Sequence, residues 1–506
     1  MTFTFAALLV ASTALAAGDY LLVPTGIHFD SNVSGGKYSV EELAEICREE
    51  GIEVAIVTDH DNMRVEYGVF PLRKVTGFLI RKLTGKGERN SISTFGAENY
   101  LRLFEEVNAR YPDLILIPGA EAVPFYYWEG SPWRGNLRLM RLHEHLLVIG
   151  LKSAEDYRRL PSIANGYPRE FSPKAFLNVI WVVTTLIGIG IYRKRNVRRI
   201  YFGNQVFVVP SRRNQGIGAL IFLTSLLLLI DNYPFLPPRY DQYHGDQDGG
   251  PYQVLIDYVN QRGGMVFWAH PEVEQRAKVE GIEVYTPPYH EHLIKTHGYT
   301  GFAIFWEGMK YIGKPGGIWD RVLNEYCRGK RKRPVWAIGE LDFEGEGKLE
   351  NVKEIATILL LREKSREEVL EALRLGRMYA TRNFASQWLT LEEFSVGDPY
   401  GVAYMGGTLR TRYPPYIRIR FVATQPKEFQ VQVIRNGEII GSFPVHGSGL
   451  IEFDDRTAPR KGKVYYRILA LEGDWVFLAS NPIFVEFGKG ELQGLGRKIE
   501  IRIQNQ

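Results

Sequence analysis

Short apolar runs that stop abruptly at polar residues alternate with segments of helical period over the first three-quarters of the chain. Residues 20–27 read as a strand, followed by a Ser/Gly loop and an amphipathic helix over 39–50. Ser39 with Glu42 three residues on is a capping-box signature. A buried-type β run at 54–57 comes next, then a basic, poorly patterned segment at 64–93. Helices are expected near 97–110, 251–262 and 365–376, and strands at 114–117, 146–151, 264–269, 282–286 and 335–338. Such alternation predicts a largely parallel sheet or barrel. From about Trp388 the pattern changes to short alternating runs at 416–423, 429–436, 463–471 and 481–487, with Asn436-Gly437 as a hairpin signal. Seven or so short strands over about 100 residues fit a β-sandwich.

Two runs lack any polar face. Residues 175–192 carry no charge over about the length that spans a hydrocarbon core, and 216–230 form a shorter run that 232–236 can extend through the interface. Between them Arg193, Lys194, Arg195, Arg198, Arg199, Arg212 and Arg213 occur with no acidic residue. By the positive-inside rule the loop 193–214 is cytoplasmic and both flanks lie outside. Two helices buried in a soluble core are the alternative, to which a purely basic connection is an odd attachment. At the start of the chain 5–17 is apolar, alanine-rich and ends in Ala14-Leu15-Ala16, so 1–17 reads as a cleaved signal or an uncleaved anchor, although no Lys or Arg precedes it.

Composition adds limits. At 506 residues the chain exceeds one ordinary domain, and its 45% hydrophobic and 24% charged content is globular. A net charge of +4 is small for this length and gives no reason to expect nucleic acid as a partner. Cys47 and Cys327 lie in helix-like patterns and read as buried small apolar residues, so no disulfide framework or cysteine metal site is expected.

The chemistry collects at the edges of the apolar runs. His28 and Asp30 follow the first strand, Thr58-Asp59-His60-Asp61 the second, and Glu121, His143, His145, His270 and the run 339–342 stand at others. Mixed nitrogen and oxygen donors of this kind suit zinc, manganese or iron at a hydrolytic centre, and two such ions need a bridging carboxylate. In parallel α/β folds the strand C-termini share one face, where sites are assembled. His145 opens its strand whereas Glu121 closes one, so if both reach one metal their strands run antiparallel. His143, two residues away on the same side of an extended chain, competes with His145. Tyr243 to Asp246, the histidines 290, 292 and 297, and the basic residues Arg321, Arg328 and 330–333 are secondary candidates, more simply read as turns, loop decoration and a solvated helix end.

Together Gly26-Ile27-His28-Phe29-Asp30-Ser31, Ser39-Val40-Glu41-Glu42-Leu43, Thr58-Asp59-His60-Asp61, Gly119-Ala120-Glu121, His145-Leu146-Leu147-Val148, Ala269-His270-Pro271 and the 339–342 run resemble a PHP (polymerase and histidinol phosphatase) domain. The segment 371–377 and Ser480-Asn481-Pro482-Ile483-Phe484 resemble its carbaryl-hydrolase-like branch. The resemblance implies a distorted seven-stranded α/β barrel with an inserted transmembrane helical hairpin and a C-terminal β-sandwich. The units are then 18–174 and 237–384 for the two parts of the barrel, 175–236 for the hairpin and 385–506 for the sandwich.

The resemblance further implies two divalent ions, Mn, Zn or Fe. One would be held by His28, Asp30, Glu121 and Asp342, and the other by Glu121, His145 and His270, with Glu121 bridging. His60 would serve a third site or, with Asp61, hold the attacking water. Asp30 stands where the family has a second histidine, and Phe343-Glu344 where a histidine normally follows the last aspartate. The implied activity is a metal-dependent hydrolase cleaving a phosphate ester or phosphodiester through metal-activated water. It would be anchored in the lipid bilayer with its site periplasmic or extracellular, acting on a small anionic or ester substrate. A carbamate or carboxylic ester hydrolase and a non-catalytic binding or scaffold protein are the alternatives.

Overall fold

The computed structural model of the chain describes residues 15–16, 20–84, 87–173, 175–232, 236–305, 309–346, 348–382, 388–488 and 504–505. It is a mixed α/β structure with one large sheet and a strand-rich C-terminal region. The predicted signal or anchor at 1–17 lies outside the described residues except for Leu15 and Ala16, which pair with Leu21 and Tyr20.

Seven strands stand side by side: β1 (Tyr20–Phe29), β2 (Val54–Val57), β3 (Ile115–Ala122), β4 (Leu146–Ile149), β5 (Met265–Trp268), β6 (Gly301–Ile304) and β7 (Trp336–Gly339). Their order in space is their order in the chain. β1, β2 and β3 are mutually parallel, as are β5, β6 and β7, while β4 runs antiparallel to both its neighbours. The chain past β7 turns back on β1, where the Leu341 and Phe343 amides donate to the Ile27 and His28 carbonyls at 2.9 and 3.0 Å. On its other side β1 pairs with β8 (Ala356–Leu361), which pairs with β9 (Met378–Thr381).

All four residues of β2 and of β4 through β7 are buried, which explains why these strands read as continuous apolar runs and not as alternation. α1 (Val40–Glu49) covers the sheet with Val40, Leu43, Ala44, Ile46 and Cys47 on one stripe, and Ser39 and Glu42 form the expected reciprocal cap. Each such aliphatic side chain contributes roughly 1.5–3 kcal/mol by leaving water. Cys327, unlike Cys47, is only half-buried.

Three expectations are revised. The segment 64–93 holds a helix, α2 (Arg73–Thr84), whose apolar residues face outward and so break the usual pattern. After α3 (Ala97–Arg110) and β3, the strand Ile282–Thr286 joins not the large sheet but a four-stranded one with Gln275–Val279, Arg138–Met140 and Tyr127–Glu129. The basic connection is no irregular loop. It is an exposed two-stranded hairpin, Asn196–Phe202 with Gln205–Ser211, which follows from its β-branched and aromatic residues and the Gly203-Asn204 turn, with Gly203 at φ 58°.

That hairpin joins α4 (Ile180–Arg193), preceded by a short 3-10 turn, to α5 (Arg213–Asp231). Ala175–Arg193 and Arg213–Asp231 are long and apolar enough to cross a membrane. The two helices cross closely at Gly188 and Gly218, where a Cβ would meet the Phe222 amide at 2.7 Å and the Tyr192 amide at 2.3 Å. At the opposite end from the basic strands the legs are joined by hydrogen bonds from the Glu170 amide to the Pro237 carbonyl and from the Arg239 amide to the Pro168 carbonyl, at 3.1 and 3.0 Å. α6 (Gly250–Gln261) then leads back to β5.

The C-terminal region has ten strands between Leu389 and Phe487, in two sheets. Phe421 from one sheet meets Phe429 from the other at 5.4 Å. One of these sheets continues the large one, since β9 pairs with Trp475–Ser480. Two buried contacts fix the junction. Asp320 of α7 (Ile318–Cys327) takes two hydrogen bonds of 2.7 Å from Arg467, and the Asn481 side chain bonds both the amide and the carbonyl of Ala337 in β7 at 2.8 Å. The expected hairpin at Asn436-Gly437 is present, both residues having positive φ.

Candidate metal centre

Parallel β1, β2 and β3 end at one edge of the sheet, and antiparallel β4 begins there. His28 and Asp30, His60, Glu121 and His145 are thereby delivered to one place, joined by His270 after β5 and Asp342 after β7. His28, His270 and Asp342 have φ of 73°, 21° and 51°. Left-handed backbone at a non-glycine residue costs of order 1–3 kcal/mol and is concentrated at functional sites. Glu121 is pinned by its backbone: its amide donates to the Asp59 carbonyl and its carbonyl accepts from the Asp61 amide, both at 2.9 Å.

Glu121 is the geometric hub. Its Oε1 lies 3.4 Å from His28 Nε2 and 3.7 Å from His270 Nε2 and contacts His145 Nδ1, while its Oε2 lies 3.0 Å from His60 Nδ1. His28 Nε2 is also 3.9 Å from Asp30 and 3.7 Å from Asp342. Donor atoms about 2.1 Å from one ion stand roughly 3.0–3.5 Å apart, so these separations suit ligands around a cation. Two donor sets, His60–Glu121–His145 and His28–Asp30–Glu121, share Glu121, and a third comprises Asp30, Asp342 and Glu344.

The ring nitrogens carry the decisive detail. His28 commits Nδ1 to Glu340 at 2.5 Å, His145 commits Nε2 to the Leu142 carbonyl at 3.2 Å, and His270 commits Nδ1 to the Tyr289 hydroxyl at 3.1 Å. The Tyr289 hydroxyl donates to the Ala269 carbonyl at 2.6 Å, so it accepts from His270. With the outward nitrogens protonated, the inward ones present lone pairs to a carboxylate. His28 Nε2, His60 Nδ1 and His145 Nδ1 are buried and make no well-formed hydrogen bond. Lone pairs facing carboxylate oxygens repel unless a cation or proton stands between them.

The charges say the same. Asp30, Glu121, Glu340, Asp342 and Glu344 gather here, and among the described residues no lysine or arginine pairs with any of them. Burial opposes the Glu121 charge, but His145, His60 and His28 outweigh it and hold the carboxyl well below its ordinary range. Burial would lower His270, but Glu121, Glu340 and Asp342 together raise it to about 9. Burial, then Glu121, pushes Asp30 well up. A proton shared into this field and a bound divalent ion are two answers to the same excess of negative charge. His60 is the exception, with burial bringing it down to about 4 despite Glu121, so it stays a neutral ring.

No family model and no curated protein matches the chain. Among solved structures it is similar to a two-domain protein containing a predicted PHP-like metal-dependent phosphoesterase from Bacteroides vulgatus, at 11% identity and TM-score 0.33, over 92% of this chain and 96% of that one. It is also similar to an amidohydrolase from Chromobacterium violaceum, at 12% identity and TM-score 0.24, over 64% and 88% of the two chains. The overlaps are shallow, and the chemistry rests on this chain's own side chains.

All seven residues expected to bind metal come together, and the antiparallel pairing of β3 with β4 matches what the placement of Glu121 and His145 requires. His145, not His143, faces Glu121; His143 stands beside His145 with ring centres 5.6 Å apart. Asp61 lies next to His60 with its carboxylate taken up by the Val123 amide at 3.2 Å and the Asn62 side chain at 2.7 Å, and burial pushes it up to about 7. Asp59 serves the loop after β1, accepting from the Ser31 amide at 2.9 Å and the Ser34 hydroxyl at 2.6 Å.

The secondary candidates stay away from the centre. His292 stacks on Trp268 and lies 3.4 Å from buried Glu144, His290 stacks on Tyr311, and His244 bonds Asp241. Arg331 is no solvated helix end: it is buried and donates to the carbonyls of Thr296, Leu293 and Ile294. Two contributors escaped sequence reasoning. Glu340 bonds both the His28 ring and the His270 amide, and Tyr289 orients His270. Glu340 was visible as a second acid two positions before Asp342, whereas Tyr289 carried no signal.

Proposed function

We propose that this chain is a metal-dependent hydrolase of PHP type, with its centre on Glu121. Its seven consecutive strands are read as a distorted barrel closed through Leu341 and Phe343, the C-terminal sheets as an appended β-sandwich, and α4 and α5 as a membrane hairpin with the site on the extracytoplasmic side. The observation that carries the proposal is the convergence of buried histidine ring nitrogens on one carboxylate, among five acids with which, among the described residues, no lysine or arginine pairs.

His28, Asp30, Glu121 and Asp342 would hold one ion and Glu121, His145 and His270 the other. Bound there, divalent ions supply the Lewis acidity that activates water and polarises a scissile ester. The chain does the rest. Glu340 and Tyr289 keep the imidazole lone pairs of His28 and His270 turned inward. His60 faces Glu121 through Nδ1, and Asp61 beside it, raised by burial to about 7, can hold a proton close by.

A phosphate ester or phosphodiester is the leading substrate class. One feature favours the second reading, a neutral carbamate or carboxylic ester: the cleft of about 230 Å³ beside the centre is lined by Asp342, Glu344, Glu346 and Glu354, which repel an anion. The test is a panel on the full chain in detergent with manganese or zinc: bis(p-nitrophenyl) phosphate, p-nitrophenyl phosphate, p-nitrophenyl acetate and a naphthyl carbamate. Chelator-sensitive turnover of the phosphates supports the leading reading. Turnover of the last two alone selects the second, and no turnover with no bound metal leaves a scaffold protein.

A further inference from the structure

The segment between Asp61 and Ser93 leaves the metal centre and returns to it. Its return is fastened by the Ile92 amide donating to the His60 carbonyl at 2.9 Å and the Ser93 amide to the Asp61 carbonyl at 3.0 Å. The excursion carries α2, and α2 is turned inside out for a soluble protein. Gly77 is buried against the excursion's own residues 66–68, a Cβ placed on it lying 3.7 Å from the Gly68 Cα. Phe70, Phe78, Leu79 and Leu83 face outward, exposed by 76%, 48%, 46% and 83%. Residues 79 and 83 are one helical turn apart on one face, so these two exposed side chains adjoin, with Phe78 and Ile80 exposed on either side of them.

Two independent observations say what covers these side chains. The first is position. α5 ends in Asp231, whose buried carboxylate accepts hydrogen bonds from the amides of Arg73, Lys74 and Val75 at 3.1, 2.6 and 3.1 Å. The start of α2 is thus bolted to the end of an apolar helix able to cross a membrane, at the end away from the basic strands. The second is charge. Residues 62–93 contain Arg64, Arg73, Lys74, Arg81, Lys82, Lys86 and Arg89 against Glu66 and Glu88, seven bases to two acids, a net of +5. Apolar residues beside an excess of Lys and Arg are the composition of a helix lying in the plane of an anionic lipid surface.

We infer that α2, with Phe70, is an interfacial helix that seats the hydrolase on the outer leaflet. Phe70, Phe78, Leu79 and Leu83 enter the boundary between headgroups and acyl chains, and the basic residues meet anionic headgroups. Because the excursion leaves directly from Asp61 and its return is hydrogen-bonded to His60 and Asp61, the bilayer surface and the metal centre are tied through one segment. This rests on the membrane reading of α4 and α5 and is independent of which ester is cleaved.

The test uses the full chain reconstituted in vesicles of phosphatidylcholine with one-third phosphatidylglycerol. Single cysteines at Leu79→Cys or Leu83→Cys carry a nitroxide, with Leu186→Cys reporting the hairpin and Tyr400→Cys a water-exposed site. The native Cys47 and Cys327 are replaced by alanine in each variant, so that the introduced cysteine alone takes the label. The expected result is protection of positions 79 and 83 from a water-soluble nickel relaxant by at least about fivefold relative to position 400, with strong relaxation by oxygen. The protection should weaken in pure phosphatidylcholine at high salt. Position 186 protected while 79 and 83 match 400 overturns the interfacial helix and leaves the hairpin intact. All three matching 400 overturns both.

Discussion

Replacing Glu340 by glutamine keeps the shape and removes the charge at a position that is completely buried. The native carboxylate accepts twice, from His28 Nδ1 at 2.5 Å through Oε1 and from the His270 amide at 2.8 Å through Oε2. A glutamine has one acceptor and one donor end, so one of these bonds must fail. If its oxygen keeps the His270 amide, its NH2 confronts His28 Nδ1, whose proton must move to Nε2. That is the atom aimed at Glu121, and the ring ceases to be a ligand. If the oxygen keeps His28, the amide of His270 is left buried against another donor, at about 1–3 kcal/mol. Loss of a partner that orients a metal ligand typically lowers affinity by about 10–100-fold, or roughly 1.4–2.7 kcal/mol. The assay is competitive titration of the purified chain against a chelator of known affinity, with circular dichroism to verify the fold. Affinity within about twofold of the native chain would refute the role assigned to Glu340 and, with it, the tautomer assigned to His28.

Other consequences are separable. His145→Ala should lose bound metal whereas His143→Ala should retain most of it, because only His145 faces Glu121; equal losses would contradict that assignment. Arg467→Met should destabilise the junction between the large sheet and the C-terminal region. It leaves Asp320 buried with only the Gly316 amide and the Tyr465 hydroxyl, both at 2.8 Å. Breaking a buried pair costs about 3–5 kcal/mol, and the two retained bonds favour the lower end. Denaturant unfolding followed by tryptophan fluorescence reads the change, and a loss under about 1 kcal/mol would show that the pair is not structural.

The strands of the large sheet and the clustering of candidate residues at their ends were legible because a strand buried on both faces must be a continuous apolar run. Val54 to Val57 is one, and the polar residues that end such runs mark the sheet edge where sites form. The reversed direction of β4 was legible for a related reason, since Glu121 closes its run and His145 opens one. Glu340 was not separable from Asp342, because two acids two positions apart point the same way from an extended chain, and only the His28 ring beyond them decides their roles. Tyr289 reaches His270 because its amide bonds the Pro271 carbonyl at 2.9 Å across a loop, which no local pattern announces. α2 was missed for the opposite reason. Its apolar residues point outward, so the rule that apolar faces turn inward gives no helix there. The fate of the basic stretch was hidden by its charge and by the lack of alternation in its Val, Ile, Tyr and Phe, although those residue types favour the β-hairpin it forms.

A centre built on Glu121 is tested most directly by counting metal. The full chain, purified in detergent without chelator and incubated with manganese or zinc, should carry about two ions per chain by elemental mass spectrometry. Glu121→Gln, folded by circular dichroism, should carry fewer than half as many. Less than one ion on the native chain, or an undiminished count on Glu121→Gln, would contradict the shared bridge.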